Sequence, residues 1–132
     1  MTNEIALEWI DDLRFEGKAG NAAVAIDGDG LRGTSPVNLL LEAIGSCAAA
    51  DVVDILRKGR QDIQGMLVEV SAGRREGHPR SLKSLELSFK IRGSVDEAKA
   101  KRAVDLSLEK YCSVFHSLRM DISLDIVVAV KP

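Results

Sequence analysis

The sequence predicts an α+β domain, and three observations carry that reading. Several short runs alternate apolar and polar residues in period two, as half-buried strands do. A stretch from residue 36 to 58, with Glu42 its only charge before Asp51, opens on a helix-start signal and closes on a helix-stop signal. A second capped, amphipathic helix then separates the later strands. The expected order is strands, buried helix, strands, amphipathic helix, strand.

Each element has its own local cause. Residues 4–9, EIALEW, alternate and read as a strand, and residues 22–26 read as another, closed by the turn-rich DGDG at 27–30. Leu31 to Thr34 is a linker. Ser35 suits the N-cap, and Pro36 suits the first helical position, where its missing N–H costs nothing. Gly59 is a plausible stop, with Arg57 and Lys58 complementing the helix dipole. From Pro36 to Ala50 the only charge is Glu42. A helix that is apolar all round is a buried one, and a chain of 132 residues is too small to surround it alone. A second subunit is therefore expected to complete its burial.

Residues 66–74 and 82–92 read as strands. In the latter, Leu85, Leu87, Phe89 and Ile91 alternate with Glu86, Ser88 and Lys90, the pattern of an antiparallel strand with one wet face. The REGHPRS loop between them places His78 in solvent. Ser94-Val-Asp-Glu97 matches a capping box. The helix it announces carries Val104, Leu108, Tyr111, Cys112 and Phe115 as its apolar stripe, so Cys112 faces the core. MDISLDIVVAV at 120–130 gives the closing strand.

The totals fit one domain over residues 1–132. A net charge of −2 and the lack of a basic stripe argue against nucleic acid or an anionic membrane as partner. The N-terminal MTNEIALEWIDDLRF lacks signal-peptide order, and no apolar run is long enough to span a bilayer. A cytoplasmic location is expected. Two cysteines are too few for a disulfide scaffold, and the 64 residues between them miss zinc-ribbon spacing. They are either two unrelated core thiols or one redox pair.

Cys47 lies in LLLEAIGSCAAAD, three turns into the first helix and padded by small residues. A packing cysteine would suit that place, and so would a nucleophile in a shielded pocket. Burial alone raises a thiol pKa, so activation needs a donor or cation from another element. Arg14 and Arg32 are the candidates, while Arg57 and Arg60 lie well down the helix. Asp51, one turn on, repels a thiolate. Glu42 lies about 140° round the helix and reaches Cys47 only through a kink at Gly45. Cys112 and His116, four apart, can share a face as an ion pair or as two metal ligands, but no further ligands form a set with them. No metal and no cofactor is expected.

The run TSPVNLLLEAIGSCAAADVVDILRKGR resembles the central helix of the OsmC/Ohr family, and YCSV at 111–114 resembles its second cysteine motif. The likeness spans nearly the whole chain and is closest to the OsmC-like branch, through Ser35–Asp62. It implies antiparallel sheets packed on a long buried central helix, in an intertwined homodimer with its active sites at the interface. It also implies thiol-dependent reduction of organic hydroperoxides, with Cys47 as peroxidatic and Cys112 as resolving cysteine and an external dithiol as reductant. Arg14 approximately matches the family's thiolate-supporting arginine. Val37, Leu40, Ile44, Asp51 and Phe115 are the expected walls of the substrate pocket. One position departs from the pattern: the family's peroxidases carry a glutamate directly after the helix-starting proline, where this chain has Val37. That departure favours the alternative, a non-catalytic dimer that binds an apolar ligand or senses oxidants.

Overall fold

The computed structural model describes residues 1–132 and divides into two compact units, Met1–Leu40 and Leu41–Pro132. The first is a three-stranded antiparallel meander of β1 (Ala6–Asp11), β2 (Arg14–Ala19) and β3 (Ala22–Asp27). Strand β2 escapes the sequence reading because Glu16, Gly17 and Lys18 have little β propensity. The turns need left-handed backbone, supplied by Asp12 at φ 41° and Gly20 at φ 59°. Leu7 pairs with Gly17 and Trp9 with Phe15, and the next register step adds Val24 and Ile26. Period two therefore gathers Leu7, Trp9, Phe15, Val24 and Ile26 on one face. Gly17 keeps that face close-packed, since a Cβ there would lie 3.1 Å from Val24 Cγ1. Trp9 remains 65% exposed and Leu7 58%. The apolar face is formed but uncovered within the chain.

Helix α1 (Pro36–Lys58) has the span its cap signals predict. The Asn38 N–H donates to Ser35 Oγ at 3.2 Å, satisfying one orphan donor of the first turn. At the other end Arg60 N donates to the Arg57 carbonyl and Gln61 N to the Leu56 carbonyl. This is a Schellman closure, and its left-handed residue is Arg60, at φ 60°, rather than Gly59. Within the chain α1 buries one stripe, Ile44, Gly45, Ala48, Val52 and Leu56. One three-stranded sheet and one further helix can cover only that side.

In the second unit the sheet order is β4 (Asp62–Arg74), β5 (Leu82–Ser94) and β6 (Ser123–Lys131). Strand β5 buries Leu85, Leu87, Phe89 and Ile91, the alternation read from the sequence. The sheet is not wholly antiparallel as expected: β4–β5 is antiparallel, whereas β6 pairs parallel to β5, Leu87 opposite Ile126. The helical connection from β5 to β6 returns the chain to its starting end, so β6 runs in the same direction. Helix α1 approaches β4 closely at Gly45, where a Cβ would stand 2.8 Å from Val70 Cγ2. Gly45 thus serves close packing in an unbroken helix rather than a kink.

The second helix departs from expectation in two ways. Ser94 belongs to β5, opposite Asp62, so the cap passes to Asp96, whose Oδ1 accepts from Lys99 N at 3.0 Å. Helix α2 (Glu97–Leu106) then gives way to a π turn, Ser107–Tyr111, in place of a continuous helix to Phe115. The extra residue of a π turn shifts the phase of every later side chain. Tyr111, expected on the apolar stripe, is accordingly 52% exposed. Cys112 follows in extended conformation, φ −71° and ψ 97°, before the single turn α3 (Ser113–His116).

Candidate active site

The widened turn positions the second thiol. The Cys112 N–H donates to the Ser107 carbonyl at 2.7 Å, closing the π turn. Cys112 then caps α3, and its Sγ accepts from the Phe115 N–H at 3.5 Å. Its side chain is fully buried. Cys47, in the middle of α1, is half-buried, and its Sγ lies 3.9 Å from Ser113 Oγ.

These surroundings drive the two thiols apart. The Val114 N–H is the strongest influence on Cys47 and holds its pKa below the ordinary 9.0. Burial opposes this, hydrogen bonds from the Cys112 and Ser113 side chains assist it, and the Asp51 charge works against it. A donor aimed at sulfur favours the thiolate because it compensates the charged form alone. Burial pushes Cys112 up to about 11; the Phe115 N–H partly offsets this, and Cys47 and Asp51 reinforce it. One thiol is thus accessible and disposed to ionise, and its neighbour is enclosed and protonated.

Asp51 stands one turn beyond Cys47. Ser107, completely buried, donates to Asp51 Oδ2 at 2.8 Å and lies 3.4 Å from the Ala48 carbonyl. Ser107, Ser113 and the Val114 amide are the site members that sequence reasoning missed. Ser107 left one signal, a hydroxyl between Leu106 and Leu108. The amide left none, because a backbone donor has no side-chain signature.

The other sequence candidates are placed as follows. Arg14 forms a two-point ion pair with Asp11, Nε–Oδ1 2.6 Å and Nη2–Oδ2 2.9 Å. Arg32 pairs with Asp12 at 3.0 Å, and its backbone N–H donates to the buried Asp27 carboxylate. Ile44 belongs to the core stripe of α1, Leu40 is exposed and Val37 half-buried. The half-buried Phe115 meets His116 edge-on, ring centroids 5.9 Å apart. The His116 side chain is exposed, its backbone N–H donating to the Cys112 carbonyl. Glu42 and His78 are exposed. No group of three or more His, Cys, Asp or Glu side chains is placed to hold a metal ion. No helix is long and apolar enough to cross a membrane.

Two unlike thiols on neighbouring helical segments of an α+β scaffold define a paired-cysteine site. Residues 27–127 match the model of the OsmC-like protein family, and the chain belongs to that family. It is 41% identical over 111 residues to protein YhfA of Escherichia coli K12, covering 82% of this chain and 83% of YhfA. Its structure is similar to that of a hypothetical protein from Aquifex aeolicus VF5, with a TM-score of 0.93 and 34% identity over 99% of this chain and 97% of that one. An organic hydroperoxide resistance protein from Elizabethkingia anophelis shares the fold, with a TM-score of 0.71 at 15% identity over 99% and 97% of the two chains.

Proposed function

We propose that the protein is a thiol-dependent peroxidase that reduces organic hydroperoxides through Cys47 and Cys112, contributing to defence against oxidative stress. The observation that carries this reading is the asymmetry of the pair: a half-buried thiol lowered by an amide donor beside a buried thiol raised to about 11. In the first step the Cys47 thiolate attacks the terminal oxygen of the hydroperoxide. The O–O bond breaks, the alkoxide leaves and takes a proton as alcohol, and Cys47 becomes a sulfenic acid. The sulfur of Cys112 then displaces the hydroxyl from Cys47, water leaves with the Cys112 proton, and a disulfide forms. Two exchanges with an external dithiol restore both thiols. No cofactor is needed for this balance, and a reducing cytoplasm would keep both cysteines as thiols at rest.

The working unit we propose is a homodimer with its sites at the interface. The uncovered apolar face of β1–β3, with Trp9 and Leu7 more than half exposed, supports it, because monomers rarely leave such a patch open. Val37, Leu40, Ile44, Asp51 and Phe115 remain the candidate pocket residues, and Arg14 the candidate supporting cation.

The test is mass spectrometry of the reduced protein after one equivalent of cumene hydroperoxide, set against one of hydrogen peroxide. A rapid two-dalton loss mapped to a Cys47–Cys112 disulfide, faster with the organic oxidant and absent in Cys47→Ser, is the expected outcome. Unchanged thiols after minutes would replace this reading with the ligand-binding one, which Val37 favours.

A further inference from the structure

The strongest unassigned arrangement is the buried hydroxyl between the two cysteine-bearing segments. Ser107 makes two separate connections. Its Oγ donates to Asp51 on α1, one turn after Cys47, at 2.8 Å. Its carbonyl accepts the Cys112 N–H at 2.7 Å. A single residue therefore links the helix carrying Cys47 to the backbone of Cys112. Elsewhere such a π turn, a conformation that helices seldom adopt, would be free to relax to α-helix. Relaxation would rotate Cys112 by the one-residue phase shift that now holds it beside Cys47.

We propose that Asp51 and Ser107 are a positioning pair that pins the π turn to α1 and so holds Cys112 beside Cys47. The inference rests on the peroxidase reading for its biological use, though the positioning itself is independent of any peroxide. Asp51 is retained despite its repulsion of both thiolates because its carboxylate is the acceptor for the hydroxyl. The groups acting on Cys47 are the Val114 amide, the Cys112 and Ser113 side chains and the Asp51 charge. Of the pair, only Asp51 acts on the thiol through its own charge, which raises the Cys47 pKa. Loss of Ser107 acts through the segment it positions and can only withdraw the donors that lower it, and this separates the two members experimentally.

The experiment equilibrates the full-length protein with glutathione redox buffers and reads the Cys47–Cys112 disulfide by gel shift and mass. Ser107→Ala should lower the effective concentration of one thiol at the other by roughly tenfold, since misplacement of reacting groups by about 1 Å costs up to about a hundredfold. That tenfold change moves the two-electron potential by about 30 mV in the oxidising direction. Ser107→Thr, which keeps the hydroxyl, should restore the wild-type equilibrium. Asp51→Asn keeps an acceptor oxygen and so guards against a simple failure of Ser107→Ala to fold. It should move the pH midpoint of Cys47 alkylation downward, a shift that Ser107→Ala should not share. A wild-type glutathione equilibrium in folded Ser107→Ala overturns the proposal, as does a wild-type equilibrium in folded Asp51→Ala, which removes the acceptor. Should wild-type protein ignore cumene hydroperoxide yet show these shifts with glutathione, the positioning pair stands and the peroxidase reading falls.

Discussion

The unlike thiols make a quantitative prediction about labelling. Cys47 ionises below 9.0 and Cys112 at about 11, so at pH 8 the Cys47 thiolate outnumbers the Cys112 thiolate by at least about a hundredfold. The more acidic thiolate is also the weaker nucleophile. With a Brønsted slope of about 0.4–0.5, two pH units return about six- to tenfold of that advantage. Ionisation alone therefore leaves Cys47 about tenfold faster, and the complete burial of Cys112 widens the gap further. The assay is a timed iodoacetamide pulse on folded, reduced protein, quenched and read peptide by peptide. In urea both cysteines lose their surroundings and should label at similar rates. Folded protein in which Cys112 labels as fast as Cys47 would refute the assignment of roles, whatever the enzyme assay shows.

Three further outcomes follow from the packing and the caps. Gly45→Ala should destabilise by about 1–3 kcal/mol in urea titration, because its Cβ would stand 2.8 Å from Val70 Cγ2; a rise in Tm, as helix propensity alone predicts, would show that α1 and β4 are not pressed together there. Arg60→Gly should stabilise by up to about 1 kcal/mol, since Arg60 holds φ 60° at the helix end and glycine adopts that conformation without the Cβ penalty; a loss of stability would contradict the Schellman closure. The raised pKa of Cys112 sets an alkaline limit. The folded thiol keeps its proton after the unfolded one has lost it, so this contribution is intact below about 9 and is lost as pH rises toward about 11. Cys112→Ala should flatten that part of the stability–pH curve, and an unchanged slope would show that the thiol is not enclosed.

The fold was legible where a single physical cause governs a segment. Ser35-Pro36 and the basic residues before Gly59 bounded α1 because capping and dipole terms act locally, and period two placed the core residues of β5 because a sheet has only two faces. The failures share an origin in tertiary competition. Ser94 offers a cap, yet continued pairing with Asp62 keeps it in β5 and Asp96 takes the role. A helical period fitted through Cys112 cannot see the π turn, whose extra residue exposes Tyr111. The two cysteines and Asp51 were visible as candidates because their chemistry lies in side chains. The principal donor to Cys47 was not, because a backbone N–H such as that of Val114 is common to every residue but proline.

That donor changes how activation and resolution relate. In the arrangement the family resemblance implies, an arginine from the N-terminal strands, oriented by a glutamate, supports the thiolate. Here Val37 takes the glutamate's place and Arg14 is held at two points by Asp11. Cys47 is lowered by Cys112, Ser113 and Val114, three consecutive residues that include the second thiol itself. Under the peroxidase reading, the segment that resolves the sulfenic acid is also the segment that promotes its formation. The two steps then cannot be lost separately by disturbing the π turn: a substitution that straightens residues 107–111 withdraws the amide from Cys47 and Cys112 from its target together. In an arginine-based site, by contrast, activator and resolver lie on different elements, and damage to one leaves the other intact.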